Sequence, residues 1–96
     1  MLVEVPFKKG DTVSIKLTSG EEIVTRLDEI KEDSYLIHKP LTLMQGPKGL
    51  VLGQFMMTAD PLANLGLPIK NIMCITKTET GMAKKYIEAT TGIQTI

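Results

Sequence analysis

The sequence predicts a mainly β fold: five short antiparallel strands that close into a small barrel, followed by a C-terminal α-helix. Three observations predict it. Apolar and polar residues alternate on both sides of Ser19-Gly20, the pattern of two half-buried strands joined by a tight turn. Turn-forming clusters then cut the chain up to Lys77 into short segments rich in aliphatic and β-branched residues. Beyond Lys77 the period changes, and apolar residues recur four apart, as on one face of a helix.

The elements follow in order. Pro6 and the run Lys8-Lys9-Gly10-Asp11 form a lead-in and a turn. Val13, Ile15 and Leu17 alternate with Ser14, Lys16 and Thr18 as a first strand. Gly20, free to take positive φ, turns the chain. Ile23, Thr25 and Leu27 alternate with Glu22, Val24 and Arg26 on the returning strand. Lys31 to Ser34 is a polar turn, and Tyr35 to Leu43 a third strand. Pro40 lies inside it, which requires an edge or a bulge because proline has no N–H to pair. After the turn Gln45 to Gly49, Leu50 to Met57 reads as a fourth strand, apolar on both faces, with Gly53 marking a bend or a close backbone approach. Thr58 to Pro68 reads as a loop and Ile69 to Lys77 as a fifth strand. Thr80 is positioned to cap a helix over about residues 81–90, with Met82, Ala83, Tyr86 and Ile87 as its apolar stripe and Gly92 as its stop. Five short, bent strands can close into a barrel, which removes most of the exposed sheet edge. The two-faced fourth strand is either central and buried or pairs with a neighbouring subunit, and repeated head-to-tail pairing closes into a ring.

A chain of 96 residues holds one domain. Eleven basic residues balance eleven acidic ones, which excludes coating of duplex DNA by bulk charge. Acids crowd residues 21–33 (Glu21, Glu22, Asp28, Glu29, Glu32, Asp33), whereas residues 34–77 carry Lys39, Lys48, Lys70 and Lys77 against Asp60. A lone Cys74 excludes an internal disulfide and fits a reducing, cytoplasmic setting. The start MLVEVPFKKG lacks the pattern of a signal peptide. No segment approaches the roughly 20 apolar residues of a spanning helix, so no membrane association is expected.

VSIKLTSGEEIVTRLDEI resembles the first motif of the Sm and Sm-like family. Gly20 matches its turn glycine, Leu27 the leucine seven residues on, and Leu36 and Ile37 the next apolar pair. Asn71 to Ile75 resembles the start of the family's last strand. The resemblance covers about residues 12–77 and is that of a divergent bacterial or phage-type member. It implies a strongly bent five-stranded Sm-like barrel over that range, with the helix at about residues 80–91 in the same single domain (1–96). It also implies a cyclic homo-oligomer of roughly five to seven chains. In such a ring the fourth strand of one subunit meets the fifth of the next, through Val51, Phe55, Met56, Met57, Ile72, Met73 and Ile75.

The family holds single-stranded, often U-rich, RNA near the pore, between the loop after its second strand and the loop before its fifth. The residues carried over to those loops are Lys31, Ser34, Tyr35, Lys70 and Asn71. They depart from the usual set: Lys31 stands where an aspartate is common, Tyr35 where an asparagine reads the base, and no Arg-Gly pair precedes the last strand. The residues still make chemical sense, because tyrosine stacks on any base, lysine neutralises phosphate and asparagine can read a base edge. Glu32 and Asp33 in the same loop oppose RNA, and Tyr35 also reads as a packed rim residue. His38 has no second ligand and reads as a half-buried strand residue. Cys74 reads as a buried small hydrophobe, and Met44, Met56, Met57, Met73 and Met82 as core filler or an adaptable contact surface. No nucleophile, acid or base constellation and no phosphate loop is visible. A non-catalytic ring without cofactors is therefore expected. Its partner is single-stranded RNA, with DNA as a lesser ligand; the alternative is a protein-binding assembly ring.

Overall fold

The computed structural model describes residues 6–91. It is mainly β, with six strands, a short 3-10 turn and one helix. The strands are β1 (Thr12–Leu17), β2 (Glu22–Ile30), β3 (Ser34–Gly46), β4 (Gly49–Gln54), β5 (Asn64–Pro68) and β6 (Ile72–Lys77). The 3-10 turn covers Ile69–Asn71 and α1 covers Thr80–Thr91. All pairings are antiparallel, in the order β4-β3-β2-β1-β6, and β5 pairs with the first half of β3.

The expected five-stranded closed barrel is thus corrected in two respects. First, the segment read as the loop Thr58 to Pro68 contains β5, and the segment read as the fifth strand is the 3-10 turn plus β6. Gly66 and Pro68 are turn signals in a five-residue strand, and they mask it. Pro68 sits at the strand's last position, opposite Ser34, where its missing N–H interrupts no longer ladder. Second, no ladder joins β4 or β5 to β6 among the described residues, so the sheet is not closed. The three-residue turn bridges the gap instead: the Ile69 N–H donates to the Asp33 carbonyl (3.0 Å), and the Thr18 N–H donates to the Asn71 carbonyl (2.9 Å).

The alternation predicted for the first hairpin is present. Val13, Ile15, Leu17, Ile23 and Leu27 point inward with Phe7 and Ile37, and Tyr35, Phe55, Leu65, Leu67, Ile72 and Ile75 pack around them. Gly20 turns the hairpin at φ 107°, a conformation that suits residues without Cβ. A Cβ on Gly53 would meet the Met44 side chain, which is the close approach the sequence suggests.

Pro40 lies at a bulge, as expected. Arg26 pairs with His38 and Val24 with Leu41, so Thr25 alone faces Lys39 and Pro40. Lys39 takes φ 51° there, a left-handed conformation disfavoured by roughly 1–2 kcal/mol in a residue with Cβ. The bulge exposes backbone groups that the ladder no longer satisfies. Thr25 Oγ1 donates to the His38 carbonyl (2.9 Å), and the Tyr86 hydroxyl donates to the His38 and Lys39 carbonyls (2.7 and 2.9 Å). That hydroxyl also accepts the Arg26 N–H at 3.1 Å. Tyr86 is the one buried residue of α1, and Lys39 Nζ donates to the Thr90 carbonyl near the helix end (2.9 Å). The helix is therefore pinned to the bulge at both Tyr86 and Thr90.

The helix cap differs from expectation. Glu79, not Thr80, caps α1, its carboxylate accepting the Gly81 and Met82 N–H groups (2.8 and 3.0 Å). A longer acidic side chain one position earlier reaches two of the free donors of the first turn. Among the described residues, no helix is long and apolar enough to cross a membrane.

Candidate nucleic-acid interface

The β2–β3 turn is three residues long, Lys31 to Asp33, and its closing bond runs from the Lys31 N–H to the Ser34 carbonyl (2.9 Å). Ser34 then pairs with Pro68, Tyr35 with Leu67, and the Asp33 carbonyl receives the Ile69 N–H. These backbone contacts carry Lys70 and Asn71, distant in sequence, to the same end of the sheet as Lys31, Ser34 and Tyr35. Lys31, Lys70 and Asn71 are exposed, and Ser34 and Tyr35 are half-buried. The pole holds two lysines, but Glu32 and Asp33 are exposed beside them, so its charge is balanced.

Tyr35 is engaged inward. Its ring meets that of Phe7 edge to face, with centroids 6.0 Å apart and planes at 80°, a favoured aromatic geometry. Phe7 is only 8% exposed, so turning Tyr35 outward would open the core. No aromatic platform accompanies the lysines.

The residues assigned to a subunit boundary divide in two. Val51, Met56, Met57 and Met73 are exposed, at 46%, 45%, 80% and 63%. Phe55, Ile72 and Ile75 pack against their own core. β4 and β6 are the two terminal strands of the sheet order, so the fourth strand is an edge strand rather than a buried central one. Cys74 is exposed on β6, which corrects its reading as a buried hydrophobe: it alternates with Ile75, and the inward side belongs to Ile75.

A second polar cluster escaped the sequence reading. Arg26, His38 and Asn64 stand in register across β2, β3 and β5. The Arg26 guanidinium donates twice to the Asp28 carboxylate (2.7 and 3.3 Å), and His38 Nδ1 lies 2.9 Å from Asn64 Oδ1. The bond to Asp28 raises Arg26 above its ordinary value, and the bond to Arg26 holds Asp28 below the usual carboxylate range. His38 is half-buried, as expected. Asn64 carried no signal because it lay in a presumed loop. A groove of about 240 Å³ opens nearby, between Pro40 and Leu41, Ala89 and Thr90 of α1, and Met56 and Pro61 of the β4–β5 loop.

No family model and no curated protein matches this chain.

Proposed function

We propose that the chain is an Sm-like, ring-forming module that holds single-stranded RNA without catalysing a reaction. The observation that carries this reading is the bond from the Ile69 N–H to the Asp33 carbonyl (3.0 Å), which gathers Lys31, Lys70 and Asn71 at one pole. Two exposed lysines per subunit, repeated around a ring, give a track for a phosphate backbone. The open edges of β4 and β6, with exposed Val51 and Met73, are complementary sides for head-to-tail pairing. Titration of a fluorescent U-rich RNA tests the reading. The native protein binds and the double variant K31Q/K70Q loses most of its affinity; equal binding by both would refute the assignment.

A second reading is a ring that binds protein and has lost RNA. The inward packing of Tyr35 on Phe7 and the acidic pair Glu32 and Asp33 favour it. Replacing Lys31 and Lys70, whose side chains are exposed, separates the two, since the assembly reading requires a neutral effect on function.

A further inference from the structure

Resting on the RNA reading, we infer that the Lys31–Lys70 pole grips a single strand by its backbone and does not discriminate among bases. Base selection needs side chains locked in one geometry against a base edge, or an aromatic face free to stack. Neither is present among the described residues at this pole. Tyr35 holds its ring edge to face against the buried Phe7. Ser34 and Tyr35 are held by their main chains in the ladder with Pro68 and Leu67, and the Ser34 hydroxyl, which both donates and accepts, suits an edge of any base. Asn71 is tethered only through its main chain, whose carbonyl accepts the Thr18 N–H (2.9 Å). Among the described residues its exposed amide has no hydrogen-bond partner to fix its rotamer, and a free amide can satisfy an edge of any base.

What the pole does present is two cationic side chains. Lys31 and Lys70 are exposed on a turn and a 3-10 segment joined by the Asp33–Ile69 bond, and lysine binds phosphate as a point charge without directional demand. Glu32 and Asp33 beside them lower the affinity for every strand alike, because their repulsion acts on the backbone. The ligand class is therefore any flexible single strand, RNA or DNA, read through its phosphates.

The test is a fluorescence anisotropy panel on the native chain, with U, A and C tracts of RNA and a T tract of DNA, all of one length, at low and moderate salt. The affinities agree within about threefold and fall together as salt rises, and Lys31→Gln or Lys70→Gln weakens every tract by the same factor. A preference of about tenfold for one base, or a lysine effect confined to one tract, overturns the inference while leaving RNA binding intact. Binding to none of the four tracts overturns the RNA reading and the inference with it.

Discussion

The Tyr86 hydroxyl donates to the His38 carbonyl at 2.7 Å across a separation of 48 residues. The contact joins the helix to one of the two places where the β2–β3 ladder shifts register. His38 is followed by Lys39 in a left-handed conformation and by Pro40, so the neighbouring main-chain groups need partners from outside the ladder. Tyr86 meets three of them through one oxygen. Removing it by Tyr86→Phe leaves the Arg26 N–H and the Lys39 carbonyl short of a partner, and destabilises the fold by about 1–3 kcal/mol. Urea denaturation measures that loss.

The same residue sets an alkaline limit. Burial raises the Tyr86 phenol above its ordinary value of 10.0. A group raised in the folded state contributes fully below its unfolded value, and its contribution disappears as pH rises through the folded value. Stability therefore declines above about pH 10, and the decline is shallower in Tyr86→Phe. Urea midpoints collected across the alkaline range show the difference.

Glu79 acts at the opposite end of the pH scale. The Gly81 and Met82 N–H groups hold its carboxyl below the ordinary 4.5. A depressed carboxyl contributes above its unfolded value and loses the contribution as pH falls through the folded one. Protection of the Gly81 and Met82 amides, corrected for their intrinsic exchange rates, falls as pH drops below 4.5, and Glu79→Ala removes that pH dependence along with the cap.

Leu27 is fully buried between β1 and β3. Leu27→Ala costs about 2–5 kcal/mol by removing apolar contact and leaving a cavity. Chemical denaturation is the check, and a loss below about 1 kcal/mol would mean that the hairpin interior is not the core.

Assembly has its own signature. If the β4 edge of one subunit meets the β6 edge of the next, Val51→Glu disables one side and Met73→Glu the other. Each variant alone is monomeric. Their mixture forms a one-to-one dimer, because a single intact interface remains and no further subunit can add. Light scattering coupled to size exclusion distinguishes this outcome from two inert monomers.

The first hairpin was legible because its residues obey one rule at a time. Val13, Ile15 and Leu17 alternate cleanly, and Gly20 marks the turn. The bulge at Pro40 was legible from the missing N–H, but Tyr86 as its partner was not, since the pairing depends on where the helix docks. β5 was hidden because five residues containing Gly66 and Pro68 carry turn signals stronger than their period. Cys74 is exposed because β6 buries only the face that carries Ile75, and alternation alone does not say which face that is. At the candidate site, the family resemblance named Lys31 and Lys70. Their approach depends on backbone bonds at Asp33 and Ile69, which leave no mark in side-chain chemistry. The inward turn of Tyr35 depends on Phe7, a residue of the lead-in that periodicity does not reach.

The central claim is a ring that holds RNA, and native mass spectrometry of the pure protein with a short U-rich RNA reads both parts in one spectrum. The expected species is a closed oligomer of roughly five to seven chains carrying RNA. A bare ring would shift the function to protein assembly, and a monomer without RNA would contradict the account.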